Sequence, residues 1–355
     1  MPARPPAVAA LALAALARCA DEPAAPPARL FVADERGGTV TVVDGRALRA
    51  TATVDLAEAR EGRAVRYLPH NVQATPDGRE VWATAASQAF YTSGFAGADD
   101  EQVVVIDAAR AAVAARVPLT GVLAHVVFDA AGRRAYVTAS QAGEVVELDV
   151  AARAVTRRFR LGPRRLPHGA RACAGRLFVA CTGGRSVAAI DLATGAVDEV
   201  PVGGQPIQVA CARDGSAAYT ALQDARTVVR VAFPSRAVSS APLPDTARGP
   251  AQVFLSPDGA RLWVADQGLL TSTSYLGNRV YEVDAATLRT VGSAEVGRGA
   301  HGVVLSRDGA VVYVTGTLDD SVAALDAATR RRLGDVPVGA MPNGITLVDA
   351  SGGVP

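Results

Sequence analysis

Short segments in which apolar and polar residues alternate recur along the chain, and the repeating units lack the periodicity of an amphipathic helix. In seven of these segments an aromatic residue is followed by small or β-branched residues. The seven aromatic residues are Phe31, Trp82, Tyr136, Phe178, Tyr219, Trp263 and Tyr313. Successive members are 51, 54, 42, 41, 44 and 50 residues apart. This spacing predicts one unit of about 41 to 42 residues, present seven times with insertions.

Each unit is predicted to form four short strands. An Asp-Gly turn usually precedes the aromatic segment, as at Gly78 and Gly259, and such turns close tight hairpins. The strand after the aromatic segment ends in Asp, for example at Asp107 and Asp326, and a second turn leads to a fourth strand. A four-stranded sheet repeated at this period is typical of a propeller blade. The predicted fold class is therefore all-β, a seven-bladed β-propeller.

The two ends of the chain supply complementary parts of one blade. The first unit begins directly at its aromatic strand near Arg29 and lacks the strand and the turn that precede this strand elsewhere. Residues 341–352 match residues 68–78, which are the missing part. The C-terminal strand is thus predicted to complete the first blade, which removes open sheet edges and makes residues 29–352 one closed propeller domain.

The repeat resembles the YVTN family of bacterial seven-bladed propellers over about residues 29–352. The resemblance rests on the aromatic-Val-Thr segment, as in Tyr136-Val137-Thr138, the preceding Pro-Asp-Gly turn and the following Ile-Asp strand. None of the seven copies has the Asn that gives the family motif its fourth letter. The resemblance implies an exported surface-layer or periplasmic protein and specifies the fold much better than the activity.

The N-terminus predicts export. Arg4 precedes an apolar segment, residues 7–17, which is too short to cross about 30 Å of hydrocarbon and has the length of a secretory signal core. Residues 1–19 are predicted to be the signal peptide, and residues 20–28 a Pro/Ala-rich linker. Residues 16–19 resemble a lipoprotein cleavage box, so either Cys19 is lipidated and attaches the protein to a membrane, or cleavage follows a small residue such as Ala17. Both alternatives predict a periplasmic or cell-envelope location.

Composition narrows the class of protein. The 355 residues are 49% hydrophobic and 20% charged with a net charge of +1, which excludes a disordered chain and carries no nucleic-acid signal. All 36 basic residues are Arg. Outside the signal there are three cysteines, Cys173, Cys181 and Cys211. Their apolar surroundings favour three small core residues over one disulfide with one buried thiol.

Long insertions are predicted at one mouth of the channel. They fall at residues 57–67, 87–101 and 267–279, in connections that share one face of a propeller. Long loops on a rigid scaffold tend to carry function. The insertions contain Tyr67, Tyr91 and Tyr275, which we expect to contact a ligand.

All four histidines occupy the same position at the start of the innermost strand of a blade. They are His70, His125, His168 and His301, and the first blade has Asn343 at this position. The predicted result is a half-circle of imidazoles at the mouth that carries the long loops. Neutral imidazole is a common ligand of zinc and copper, so the four histidines are candidate metal ligands. The alternative is that the histidines are simply part of the repeat motif and bind no ligand.

Arginines lie close to the same position in several blades. The members of this set are Arg66, Arg164, Arg165, Arg248 and Arg298. Together with histidine they would favour a small anionic ligand, although a protein partner is also compatible with the pattern. Phosphate-loop, haem-attachment and serine-elbow motifs are absent from the sequence.

Three functional hypotheses follow from the sequence. The first is an exported binding protein without chemistry of its own. The second is a copper or zinc protein that uses the four histidines. The third is a lactonase-like hydrolase, which would need a carboxylate beside a histidine in the channel.

Overall fold

The computed structural model describes residues 28–94, 100–269 and 276–348 and confirms the predicted fold class. Seven four-stranded antiparallel sheets surround a central channel. The predicted signal peptide with Cys19, almost all of the linker, and Tyr275 lie outside the described residues. Among the residues that are described, no helix combines the length and the hydropathy needed to cross a membrane.

The strands follow one another blade by blade. The first three strands are β1 (Arg29–Asp34), β2 (Thr39–Asp44) and β3 (Arg49–Asp55). A separate hairpin follows, formed by β4 (Glu58–Arg60) and β5 (Arg63–Val65). The second blade contains β6 (Tyr67–Ala74), β7 (Glu80–Ser87), β8 (Glu101–Asp107) and β9 (Ala112–Leu119), with helix α1 (Gln88–Thr92) between β7 and β8. The third contains β10 (Leu123–Phe128), β11 (Arg134–Ala139), β12 (Glu144–Asp149) and β13 (Ala154–Arg160).

A short 3₁₀ helix (Pro163–Arg165) leads into the fourth blade, which contains β14 (Pro167–Cys173), β15 (Arg176–Cys181), β16 (Ser186–Asp191) and β17 (Val197–Pro201). The fifth contains β18 (Pro206–Cys211), β19 (Ala217–Leu222), β20 (Thr227–Ala232) and β21 (Val238–Pro242). The sixth contains β22 (Pro250–Leu255), β23 (Arg261–Gly268), β24 (Leu276–Asp284) and β25 (Thr290–Glu295). The seventh contains β26 (Ala300–Leu305), β27 (Val311–Gly316), β28 (Ser321–Asp326) and β29 (Arg332–Pro337), and the last strand is β30 (Pro342–Val348).

The last strand closes the ring as predicted. β30 pairs antiparallel with β1, with Leu347 opposite Leu30 and Ile345 opposite Val32, and so becomes the innermost strand of the first blade. Each innermost strand contacts those of both neighbouring blades around the channel. Both ends of the described domain are therefore held in one sheet, and no blade is left with an open inner edge.

The aromatic residues of the repeat fill the spaces between blades. Trp82 and Phe178 are completely buried, and each packs against a ring from the following blade. The ring centroid of Trp82 lies 5.4 Å from that of Phe128 in an edge-to-face arrangement. The core is therefore continuous from blade to blade, and the aromatic position of the repeat is explained by this packing.

The threonine two positions after the aromatic residue also links blades. The Thr138 hydroxyl accepts a hydrogen bond from the His125 backbone N–H at 2.9 Å and donates one to the His168 carbonyl of the next blade at 2.6 Å. Thr84 and Thr315 make equivalent pairs of bonds. Each such hydroxyl satisfies a buried N–H of its own blade and a buried carbonyl of the next, so it holds adjacent inner strands in register.

The structure corrects the expectation for the cysteines. Cys173 and Cys211 end the inner strands of the fourth and fifth blades and form a disulfide, with Cα atoms 6.4 Å apart. Cys181 is buried and free, as expected of a small core residue. Apolar sequence context was misleading for Cys173 and Cys211, because neighbouring inner strands bring two positions 38 residues apart within disulfide range.

We expect the double substitution Cys173→Ala and Cys211→Ala to lower the free energy of unfolding by about 2–4 kcal/mol, because the cross-link between blades is lost. Denaturant unfolding measures the change, and a reductant should reproduce it in the wild type while leaving the double variant unaffected. Thiol alkylation after unfolding under non-reducing conditions should label Cys181 and leave Cys173 and Cys211 unlabelled. Labelling of Cys173 and Cys211 would contradict the disulfide.

Candidate functional site

A β-bulge is present at the start of each innermost strand, where the histidines lie. In the third blade, β10 advances three residues from Leu123 to Val126 while β11 advances only two, from Ala139 to Val137. His125 lies within this bulge, and the other blades show corresponding register shifts. Because a bulge re-aims a side chain, the repeated position is suited to directing groups toward the channel.

Close approach of neighbouring inner strands fixes the backbone beside the bulge. Gly169 follows His168, and a Cβ atom at this position would lie 2.6 Å from the Cα of Gln208 in the next blade. Only glycine allows this separation. The approach also brings His168 Nδ1 within 3.0 Å of the Ile207 carbonyl, which orients the imidazole.

Three of the four histidines form a cluster. One ligand atom from each of His70, His125 and His168 lies within 4.8 Å of the others. The Nε2 atoms of His70 and His168 are 3.3 Å apart, and the ring centroids of His125 and His168 are 5.0 Å apart. His301 lies outside this three-histidine cluster, and its buried Nδ1 has no hydrogen-bond partner among the described residues.

A carboxylate that the sequence analysis missed contacts the cluster. Glu35 follows β1, is buried, and lies 3.1 Å from His70 Nδ1 through Oε1. Its second oxygen, Oε2, accepts a 2.7 Å hydrogen bond from the Asn343 side chain. The only sequence signal was a second acid after Asp34, at the end of the aromatic segment, where other blades carry Ala, Ser, Thr or Gln.

Glu35 and His70 stabilise each other's charged form. Burial alone would raise the pKa of Glu35, but the charge of His70 and hydrogen bonds from His70 and Asn343 outweigh it, so the pKa is lowered. Burial would likewise lower the pKa of His70, but the Glu35 carboxylate outweighs it, so the pKa is raised. The pair is therefore a buried acid in contact with a partly buried base.

The other imidazoles are held neutral. Burial lowers the pKa of His168 to about 3 and that of His301 to about 4, and the charge of His70 adds to both shifts. The pKa of His125 falls well below its ordinary value because of burial and the nearby His168 and His70. Neutral imidazole is the form that binds a metal.

Hydrogen bonds fix the tautomers of the His70 and His168 imidazoles. The Ile207 carbonyl can only accept, so His168 Nδ1 carries a proton. The ionised Glu35 carboxylate also only accepts, so His70 Nδ1 carries one. With both rings neutral, two Nε2 lone pairs would face each other at 3.3 Å. A proton on His70 Nε2, or a cation held between the rings, removes this repulsion.

A cavity of about 300 Å³ adjoins the cluster at the mouth that carries the insertions. His70 and His168 contribute to its wall, with Leu68, Ala85 and Leu123 as apolar neighbours. Tyr91, from helix α1, also lines it, and its hydroxyl hydrogen-bonds to Glu35. Burial and the Glu35 charge raise the pKa of Tyr91. Tyr91 is thus the predicted ligand-contacting tyrosine that the structure places beside the histidines.

Tyr67 has no free surface for a ligand. Its ring is completely buried, and the guanidinium groups of Arg60 and Arg116 lie 5.3 and 5.6 Å from its centroid. Its hydroxyl donates a 2.6 Å hydrogen bond to Asp100. The insertion before the second blade therefore uses Tyr67 to anchor its own hairpin, which corrects the expectation that this residue contacts a ligand.

Most of the predicted arginines are engaged in local contacts. Arg165 pairs with Glu199 at 3.1 Å and Arg298 with Asp319 at 2.6 Å. Arg66 donates to the backbone carbonyls of Arg36 and Gly37, and Arg248 to that of Asp245. Arg164 is exposed on the 3₁₀ helix. Arg165 and Arg298 are thus paired with acids, so they attract the expected small anionic ligand less strongly.

Acidic residues near the mouth have a structural role. Glu101 is buried and accepts hydrogen bonds of 2.7–2.9 Å from the backbone N–H groups of Gly121, Val122 and Leu123, where the third blade begins. Asp266 caps the entry to the sixth blade in the same way through Arg248 and Gly249. These carboxylates therefore hold the start of the inner strands of the third and sixth blades in place.

Comparison with known proteins shows the fold alone. No family model and no curated protein matches the sequence, so the YVTN resemblance stays a prediction. Solved structures that are similar include a functionally unknown protein from Desulfotomaculum acetoxidans, at 12% identity and a TM-score of 0.71, covering 90% of this chain and 99% of that one. A putative 6-phosphogluconolactonase from Bacteroides fragilis has 15% identity and a TM-score of 0.66, covering 91% and 98%. Virginiamycin B lyase from Staphylococcus aureus has 14% identity and a TM-score of 0.64, covering 80% and 92%.

We expect Glu35→Gln to lower the pKa of His70, because burial of the imidazole is then no longer opposed by a carboxylate. Imidazole ¹⁵N resonances of metal-free protein measure the titration. Glu295→Gln, at an exposed carboxylate that pairs with Arg279 on the outermost strand of the sixth blade, is the matched control and should leave it unchanged. An unchanged His70 titration in Glu35→Gln would contradict the assigned contact.

Proposed function

We propose that the protein is an exported propeller that binds one zinc or copper ion through His70, His125 and His168 and holds a small ligand, or a group of a protein partner, in the adjoining cavity. The observation that carries this proposal is the three-histidine cluster, with one ligand atom from each ring within 4.8 Å of the others. Three imidazoles are a common ligand set for a metal that keeps a position open for a further ligand.

The distance between the Nε2 atoms of His70 and His168 suits a shared metal ion. Two nitrogen ligands at about 2.0–2.1 Å from a tetrahedral ion are roughly 3.3 Å apart. The Nε2 atoms of His70 and His168 are 3.3 Å apart, and both Nδ1 atoms are already protonated and hydrogen-bonded. His125 must approach by at most about 1.5 Å to join them. A cation between the rings would also relieve the facing lone pairs.

The surroundings of the cluster support the same function. Glu35 accepts the Nδ1–H of His70, which is the contact that commonly orients a metal-binding imidazole and raises its basicity. The Ile207 carbonyl does this for His168. The inner strands that carry the three rings belong to three neighbouring blades of the closed propeller, so little backbone ordering is required when the ion binds.

Export is supported by two independent features. Residues 7–17 have the pattern of a signal core, and the Cys173–Cys211 disulfide is of the kind that persists in oxidising compartments. Lipidation at Cys19 remains one of the two proposed forms of the mature N-terminus. A periplasmic or cell-envelope location follows from either form.

Elemental analysis of untagged protein loaded with zinc or copper and then desalted should show about one ion per chain. Single substitutions His70→Ala, His125→Ala and His168→Ala should each weaken binding by at least about 100-fold, since each removes a ligand. His301→Ala is the matched control, because it changes the equivalent position of another blade outside the cluster and should retain the ion. Metal-free wild-type protein after loading, or equal loss in all four variants, would contradict the metal site.

A second candidate function is hydrolysis or elimination by acid–base catalysis. The 3.1 Å Glu35–His70 contact is the carboxylate–histidine pair that this chemistry requires, and it lies beside the cavity. The similar structures include a putative lactonase and a lyase. In this reading His70, oriented by Glu35, would transfer a proton to or from a substrate in the cavity.

If this second function holds, lactone substrates such as 6-phosphogluconolactone should be hydrolysed in the presence of a chelator, and Glu35→Gln should lower kcat by about 100-fold or more. Hydrolysis followed at constant pH measures the rate. The Glu295→Gln control should keep full activity. Rates equal to the uncatalysed background, or full activity in Glu35→Gln, would exclude this function for the lactones tested.

A further inference from the structure

An arginine lies in the channel without an acidic partner. Arg171 is on β14, three residues beyond His168 toward the opposite mouth, which is about 10 Å along a strand. No ion pair involves its guanidinium among the described residues, and its nearest polar contact is Gln73 Oε1 at 3.5 Å. The guanidinium lies 5.6 Å from the ring centroid of Phe254. The Arg171 side chain is half-buried and has no counter-charge among the described residues, so an anion bound beside it would stabilise it.

Arg171 forms part of a large opening at the opposite mouth. This cavity has a volume of about 1060 Å³ and is surrounded by turns and strand ends of the third to sixth blades. Its apolar wall includes Tyr136, Tyr219, Phe254 and Pro257. The Cys173–Cys211 disulfide, two residues beyond Arg171 on the same strand, also lines it and joins the fourth and fifth blades there. The wall is therefore both apolar and cross-linked.

Acidic residues at the rim make the two ends of the cavity electrostatically different. Asp129, Asp214 and Asp258 line the opening, and each is held by hydrogen bonds within its own turn. Arg213 is exposed at the same rim. Arg171 also borders the narrow polar space deeper in the channel, which His125, Gln208 and Gln252 line. A negative charge is thus favoured at the channel end and disfavoured among the rim carboxylates.

We propose that this opposite mouth is a second binding site, for a small organic anion that has one carboxylate-like group and an apolar ring. The anionic group binds the Arg171 guanidinium, and the ring packs on Phe254 and the tyrosines. The site is spatially separate from the three-histidine cluster. None of the three histidines lines the large cavity, and only His125 borders the narrow space that Arg171 shares.

Calorimetric titration with three probes tests the proposal. 2-Naphthoate should bind, the neutral 2-naphthamide should bind at least about tenfold more weakly, and naphthalene-2,6-dicarboxylate should also bind more weakly because its second charge meets the rim acids. Arg171→Gln should lower the affinity for 2-naphthoate at least about tenfold, and Arg171→Lys by less. Arg133→Gln, at an exposed residue of the same face outside the cavity, is the matched control.

Thermal unfolding of each variant establishes that it is folded, and Arg171→Lys keeps the charge if Arg171→Gln fails to fold. His70→Ala should retain 2-naphthoate binding even if it loses the metal, which separates this site from the proposed metal centre. Equal binding of 2-naphthoate and 2-naphthamide, or equal binding by wild type and Arg171→Gln, would overturn the proposal. Absence of 2-naphthoate binding to the wild type would overturn it as well.

Discussion

Pairing of β30 with β1 is the constraint on which the site depends. It makes the C-terminal strand the innermost strand of the first blade and closes the circle of inner strands. The same pairing brings Asn343 against Glu35, 308 residues away in sequence, and Glu35 in turn contacts His70 of the second blade. Ring closure and the charge of the candidate site are therefore coupled, since the carboxylate is supplied by one end of the domain and its amide partner by the other.

The fold could be predicted from the sequence because each blade repeats the same local pattern. The aromatic-Val-Thr segment predicted a strand, and the structure adds what its residues do: the aromatic ring fills the space between blades, and Thr138 joins adjacent inner strands. The shared position of the four histidines in the repeat could also be predicted. The convergence of the histidines could not be predicted, because it depends on the radius of the channel and on the side-chain rotamer at each bulge. These factors bring His70, His125 and His168 together and leave His301 outside the cluster.

Glu35 and Arg171 were missed, and a disulfide was the less favoured alternative for the cysteines, for one physical reason. Each acts across a boundary between blades, where partners are distant in sequence and only the closed ring sets their separation. The arginines near the histidines did not identify an anion site, since most of them contact neighbouring acids or backbone carbonyls. Arg171, which has no ion pair among the described residues, lies at the other mouth. The propeller thus has two chemically different ends.

In the proposed metal centre, three imidazoles from three blades share one ion. X-ray absorption spectroscopy of the zinc-loaded or copper-loaded protein addresses it directly, since imidazole rings give a characteristic outer-shell scattering pattern. We expect three imidazole nitrogens at about 2.0 Å from the ion. A first shell with at most one imidazole, or one made of oxygen or sulfur ligands alone, would contradict it.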